Sequence, residues 1–261
     1  MRVAVLGFGG IGAPVAHALA RGEVPGAELA GVVRRDPASG ADGLAVLGLD
    51  EAVERADLVA ECAGQRALAE VGARAVGAGR DLLVVSMGAL ADDAVFEALV
   101  APAPGRVHLC AGAIGGLDLL AASARMGGFG QVRITTTKAA ASLVQPWMDA
   151  GLARRLREAT EPLELMRGPA RKVTRAFPRS ANVAAAVAFA ARDWDAVEAV
   201  VVADPSVERT SHVIEAHGTA GDYRFEIRNR PSERNPASSA VVPFAVLHAI
   251  EALAGRTMVF R

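Results

Sequence analysis

Four short stretches of the chain carry residue types that do chemistry when a fold presents them. The first is Gly7-Phe8-Gly9-Gly10-Ile11-Gly12, a G-x-G-x-x-G run placed right after the apolar Val3–Leu6. In such a run the first glycine permits a tight turn. The second lets backbone approach a pyrophosphate, and the third lets helix and strand pack closely. Amides and dipole at the start of the following helix then hold the anion. Gly7, Gly9, Gly10, Ile11 and Gly12 are therefore the expected binding turn for a nicotinamide dinucleotide. The second stretch is Arg34-Arg35, at the end of the next apolar run. Sites that take NAD usually place an acid there, for the ribose hydroxyl, whereas a guanidinium pairs with a 2′-phosphate. Arg34 and Arg35 thus favour NADP over NAD. The alternative leaves both arginines in solvent and turns the later Asp36 back to the ribose.

The third stretch is Glu61-Cys62-Ala63-Gly64, at the end of another predicted strand. Ligands of parallel sheets bind beyond the carboxyl ends of the strands, so small Ala63 and Gly64 are expected to lie against the cofactor. Glu61 reads better as a structural carboxylate held by backbone amides than as a catalytic one. The fourth stretch holds two of the five histidines, His212 and His217. Histidine changes charge near neutral pH and suits proton transfer. An odd separation on one strand sends the two to opposite faces, so at most one of them faces a site. The pattern alone does not choose between them. His17 and His248 fall inside predicted helices and read as structural, with His108 an outside candidate. Cys62 and Cys110 lack metal-type spacing and read as buried free thiols. No histidine–carboxylate spacing implies a metal.

The elements that must position these residues follow from periodicity. Strands at Val3–Leu6, Leu29–Val33, Leu58–Cys62, Leu82–Val85 and Val107–Cys110 alternate with helices at Ile11–Arg21, Asp50–Arg55, Arg66–Ala78 and Asp92–Val100. That rhythm predicts βαβ units and a Rossmann-type, doubly wound parallel sheet over residues 1–112. Beyond it the rhythm changes. A helix at Gly115–Met126 precedes an alternating strand at Gln131–Lys138, with Val132, Ile134 and Thr136 on one face. An alanine-rich helix follows at Asn182–Ala191. Strand-like runs then arrive at Ala196–Ala203, Thr210–His217 and Tyr223–Asn229, joined by turn-forming residues. This predicts a second, α+β domain over 113–238 with a mixed or antiparallel sheet, which carries the substrate site and the dimer contacts. An apolar helix from Ser239 closes the chain, and the segment 239–261 is expected to pack back on the first domain. The fold class is thus α/β with an added α+β domain.

Composition narrows the partners. Hydrophobic residues make up 52% and charged residues 22%, a globular balance, and the net charge of −1 gives no reason to expect nucleic acid or an anionic membrane. No unbroken apolar stretch reaches the roughly 20 residues that span a bilayer. The chain enters its first strand at once, with no secretory leader, and two unpaired cysteines suit a reducing compartment, so a cytoplasmic location is expected.

Longer segments of the second half carry a resemblance. Cys110-Ala111-Gly112-Ala113-Ile114-Gly115-Gly116-Leu117-Asp118 resembles the S-G-A-I-G-x-x-D segment of L-aspartate dehydrogenases. Phe177-Pro178-Arg179-Ser180-Ala181-Asn182-Val183-Ala184-Ala185 resembles their F-P-x-N-x-N-V-A-A segment. Ala203-Asp204-Pro205, His212, Gly218–Gly221 and the run from Asn229 to Ser239 follow in the family's order. The resemblance implies oxidation of an amino-acid CH–NH2 group. L-aspartate would give iminosuccinate, then oxaloacetate and ammonia, or the reverse would run as reductive amination. It also implies His212 as the acid/base, Ala113 and Asn182 as cofactor contacts, and a homodimer. Asn182 is further expected to help hold substrate. A dicarboxylate needs cations, and Lys138, at the end of its strand, is the preferred one over Arg171, Lys172 and Arg175. Four positions depart from the family pattern: Thr137, Ser180, Thr210 and Ala237. The same scaffold would serve reduction of another imine or carbonyl, including an acylating aldehyde dehydrogenase with Cys110 as nucleophile. A chain that only binds NADP would share the glycine turn.

Overall fold

The computed structural model describes residues 1–178, 181–235 and 238–255, and the chain divides into two compact units. One unit is formed by Met1–Gly112 with the chain from Val242 onward, the other by Ala113–Val241.

The first unit is built on a six-stranded parallel sheet. Its strands are β1 (Arg2–Leu6), β2 (Glu28–Val33), β3 (Val46–Leu47), β4 (Leu58–Glu61), β5 (Asp81–Val84) and β6 (Val107–Leu109), in the order β3-β2-β1-β4-β5-β6. The chain starts in the middle, winds outward to one edge, then returns and winds to the other. That reversal makes β1 and β4 the switch point, where a ligand crevice opens beyond the strand ends. Their runs are apolar at successive positions because both faces are covered. Val3, Ala4, Val5, Leu58 and Ala60 are fully buried. Helices α1 (Gly12–Ala20), α2 (Leu49–Arg55), α3 (Gln65–Gly77) and α4 (Asp93–Val100) connect the strands, and α9 (Val242–Ala254) packs beside α1. The closing helix starts at Val242, three residues later than the apolar pattern gives. Pro243 takes a first-turn position, where its missing N–H costs nothing, and Ser239 is bridged to Pro231 instead. Sequence reading also passed over β3. Two residues give no periodicity, and pairing with Val32 and Val33 alone makes them a strand.

The second unit holds a mixed five-stranded sheet. Its strands are β7 (Phe129–Lys138), β8 (Leu163–Pro169), β9 (Glu198–Ala203), β10 (Thr210–Gly218) and β11 (Gly221–Asn229), in the order β11-β10-β7-β9-β8. The β7–β9 pair is parallel and the other three are antiparallel. Helices α5 (Leu117–Arg125), α7 (Ala170–Ala176) and α8 (Asn182–Ala191) belong to this unit, as does α6 (Ala150–Arg157). α8 packs on α5, α7 and β7, and its alanines let those partners approach closely. Along β7 the residues Val132, Ile134, Thr136 and Lys138 are buried while their neighbours are half-exposed, as a period of two requires. On β10, Thr210, His212, Ile214 and Ala216 are buried in the same alternation. The opposite set of side chains is charged. Arg133 bonds Glu198, Arg167 bonds both Glu164 and Glu198, and Arg224 bonds Glu215 and Glu226.

Candidate functional site

The glycine turn stands where the first unit needs it. Gly7 adopts φ +98°, a conformation that side chains disfavour, and a Cβ there would come within 2.9 Å of Ala63. At Gly12 the constraint is tighter, since a Cβ would meet the Gly7 carbonyl oxygen at 2.1 Å. At Gly9, by contrast, a Cβ would meet nothing within 4 Å, and the residue is exposed. Gly7 and Gly12 are thus glycines for packing, while Gly9 leaves open space above the turn, as a backbone that receives a pyrophosphate does. Gly10 and Ile11 lead into α1, and no side chain caps that helix. Its N-terminus is free to serve an anion by dipole and amide.

A cleft of about 700 Å³ opens over this turn. Gly7, Phe8, Gly9, Arg34, Arg35, Asp36, Ala63 and Arg66 contribute to its walls. Arg34 is half-buried, stacked at 5.3 Å over the Phe8 ring, and donates to the backbone oxygens of Ser39 and Gly40. Arg35 is exposed. Asp36 caps the short turn that follows it, accepting from Ala38 N at 3.1 Å and from Ser39 Oγ at 2.7 Å. These bonds hold its carboxyl below the ordinary range, the Ser39 hydroxyl foremost. Arg66, which sequence reading left aside, reaches the cleft from the first turn of α3 and pairs with Glu70. It stands two residues past Gly64, just beyond the strand-end stretch, where the first turn of α3 carries it to the cleft.

Ala63 and Gly64 are held by Glu61. The fully buried Oε1 accepts from Ala63 N and Gly64 N at 2.8 Å each and from Ser86 Oγ at 3.0 Å. Oε2 accepts from Ser86 N at 2.9 Å and from Val85 N at 3.3 Å. Burial raises the carboxyl above its usual value, against the pull of the Ser86, Gly64 and Ala63 amides. Glu61 is the peg that ties the β4 loop to the end of β5. Cys62 and Cys110 are unpaired, Cys110 is buried, and burial pushes both thiols up, so neither is a ready nucleophile.

The second unit gathers the other candidates. His212 on β10 pairs in register with Thr136 on β7, and its Nδ1 lies 3.0 Å from Thr136 Oγ1. The ring is 2% exposed and the threonine 4%. Lys138 follows Thr136 on the same buried face and is 5% exposed. Burial lowers the lysine to about 8. Burial, and then the charge of Lys138, lowers His212 to about 3. At neutral pH the pair is a neutral imidazole beside an ammonium. His217, five residues on, is exposed and tied to Asp222 at 2.9 Å. Among the remaining histidines, His17 bonds Asp42 and His108 bonds Asp81, while His248 lies on α9.

The motif segments of the second unit also meet one another. The Ala113 carbonyl accepts from Asn229 Nδ2 at 2.7 Å, and the Phe225 ring lies where a Cβ on Gly116 would stand, at 2.7 Å. The start of α5 is thereby fixed against β11. Asn182 is the first residue of α8 and half-buried. Arg171 stacks on Trp194 and pairs with Asp195, and Lys172 and Arg175 are exposed, which suits a solvated helix face better than a ligand grip. Of the departures from the family pattern, Thr210 is buried at the head of β10 and Thr137 is half-exposed on β7. Ser180 and Ala237 lie outside the described residues. Among the described residues no cluster of His, Cys, Asp or Glu has metal-binding geometry, and no helix is long and apolar enough to cross a membrane.

Comparison with known proteins gives this arrangement a lineage. A family model described as aspartate dehydrogenase, C-terminal, matches residues 118–253. A second, described as homoserine dehydrogenase, NAD binding domain, matches residues 7–108. An L-aspartate dehydrogenase of Ruegeria pomeroyi is 40% identical over 257 residues, covering 96% of this chain and 91% of that one. Another, of Methanocella arvoryzae, is 33% identical over 262 residues, covering 94% of each. Among solved structures, an aspartate dehydrogenase of Thermotoga maritima superposes with a TM-score of 0.75 at 23% identity, over 100% of this chain and 99% of that one, a likeness of fold. The C-terminal family model alone spans more than half of the sequence, and the chain belongs to the L-aspartate dehydrogenase family.

Proposed function

We propose that this chain oxidises L-aspartate with a nicotinamide cofactor, giving iminosuccinate that water converts to oxaloacetate and ammonia, or runs the sequence in reverse. A nicotinamide bound here would supply the hydride acceptor for the Cα of the substrate's neutral amine, whose nitrogen lone pair forms the protonated imine. The glycine turn and the α1 N-terminus hold the pyrophosphate, with Ala63 and Gly64 alongside. Ala113 and Asn182 are carried over from the family resemblance as further cofactor contacts. In the second unit Lys138 binds a substrate carboxylate, with Asn182 assisting. His212 takes a proton from the water that adds to the carbon of the protonated imine, while the C=N electron pair passes to the nitrogen and leaves it a neutral amine. The observation that carries the reading is the buried His212–Thr136 pair with Lys138 on the same face, in a chain of this family. A dicarboxylate beside Lys138 offsets the charge of that ammonium, which is the second cause, after burial, that lowers His212.

Within this reading NADP is preferred over NAD. Asp36 spends its carboxylate on its own turn, and Arg34 and Arg35 stand at the end of β2 where a 2′-phosphate would lie. The active form is a homodimer in a reducing compartment such as the cytoplasm, as the family resemblance and the two free thiols suggest. The test is reduction of NADP and NAD by L-aspartate in parallel, with oxaloacetate plus ammonia as the reverse assay. Activity with L-aspartate and a higher kcat/KM for NADP are expected. Arg35→Glu should lower kcat/KM for NADP about 10-fold or more and leave NAD nearly unchanged. No turnover in either direction rejects the substrate, and an NAD preference in the wild type rejects the role of the arginines.

A further inference from the structure

We infer that Thr136 is a positioning residue for His212, accepting a hydrogen bond from Nδ1–H and so leaving Nε2 as the unprotonated nitrogen. The inference rests on the reading of His212 as the base, and deepens it.

Three observations converge on Thr136. It belongs to the row Val132, Ile134, Thr136, Lys138 that β7 turns into the core, where a polar side chain is costly unless it is bonded. Valine has the same shape and a higher strand preference, so packing alone gives no reason for a hydroxyl here. Its Oγ1 lies 3.0 Å from His212 Nδ1, across a cross-strand pair whose register is fixed by the ladder between β7 and β10. The ring therefore cannot turn away without breaking that bond inside a closed interior.

The chemistry decides the direction of the bond. A hydroxyl either donates or accepts, and a neutral imidazole carries its proton on one nitrogen only. Which nitrogen it is follows from the bond that the other makes. If Thr136 donated to Nδ1, the proton would sit on Nε2 and that nitrogen would have no lone pair for water. With Thr136 as acceptor, Nδ1 keeps its proton and Nε2 is the base. Water then adds to the carbon of the protonated imine, its proton goes to Nε2, and the C=N pair goes to the nitrogen, which becomes a neutral amine. The Nδ1–H bond to Thr136 persists throughout. Burial of the ring beside Lys138 keeps the resting imidazole neutral, so its tautomer is what matters before substrate arrives.

The experiment is nitrogen-15 NMR of histidine-labelled full-length protein near pH 7, joined to steady-state kinetics. The His212 signals are assigned by their loss in His212→Asn. In the wild type, His212 should show a protonated Nδ1 and an unprotonated Nε2. Thr136→Val should move that population toward Nε2–H and lower kcat about 10-fold, with KM changed less than about 2-fold. Thr136→Ser, which keeps the hydroxyl, should restore the wild-type tautomer and come within about 3-fold of wild-type kcat. An Nε2–H tautomer in the wild type overturns the inference even if Thr136→Val does not fold. So does Thr136→Val with full kcat and an unchanged tautomer. If instead His212→Asn keeps wild-type turnover, the underlying reading of the base fails, whatever Thr136 does.

Discussion

Two buried ionisable side chains, His212 and Lys138, contribute to the pH behaviour of the second unit. His212 is depressed to about 3 in the folded chain, by burial first and Lys138 second. An unfolded histidine titrates near 6.5, so between that pH and about 3 the unfolded chain binds the extra proton. Stability is therefore lost as pH falls through this window. The expected slope from this group is about 1.4 kcal/mol per pH unit below pH 6. Denaturant titrations at pH 7 and pH 5 measure it, and His212→Asn should flatten the difference by about 2 kcal/mol. A variant as acid-sensitive as the wild type would mean the ring is not neutral and buried. Lys138 is the reverse kind of compromise. Its ammonium is buried, and burial lowers it to about 8. Lys138→Met should raise KM for L-aspartate at least about 10-fold. A variant with unaltered KM would remove Lys138 from the substrate site.

The elements hold these residues by a few close approaches. Gly116 has φ +78° and stands against the Phe225 ring, while Asn229 bonds the Ala113 carbonyl, so α5 is fixed to β11 at two points. Gly116→Ala should cost about 2–4 kcal/mol, from the positive φ and from displacement of the ring. Thermal unfolding reads this, and a loss below about 1 kcal/mol would show that α5 shifts freely. These contacts were not legible in the sequence, because they join residues more than a hundred positions apart. What was legible was local. The alternation of β7 and β10 put Thr136 on the apolar face and His212 and His217 on opposite sides, and the exposure of His217 agrees. The run at Glu61 suggested a carboxylate held by amides, and the structure supplies four backbone donors and the Ser86 hydroxyl. Between residues 139 and 176 the sequence pattern gave no helix or strand bounds. There α6, β8 and α7 are short, and the half-exposed positions of β8 show no clean alternation. Arg66 and the Thr136–His212 bond needed coordinates, since neither has a motif of its own.

The whole chain is a dinucleotide-binding parallel sheet interrupted by a mixed-sheet unit and closed by a helix that returns to the first. That division of labour is what an amine dehydrogenase needs. One unit is the dinucleotide-binding domain of the family, and the other buries a histidine and a lysine on one face of its sheet. The switch point between β1 and β4 followed from the βαβ rhythm, whereas the mixed character of the second sheet comes from the parallel β7–β9 pair, with β8 an edge strand that the sequence pattern did not mark. The most direct test is to supply L-aspartate deuterated at Cα with NADP and to analyse the reduced cofactor by mass spectrometry. Transfer of the Cα hydrogen as hydride places one deuterium in the reduced nicotinamide, with oxaloacetate and ammonia as co-products. Reduced cofactor without deuterium, or no reduction with L-aspartate at all, would contradict it.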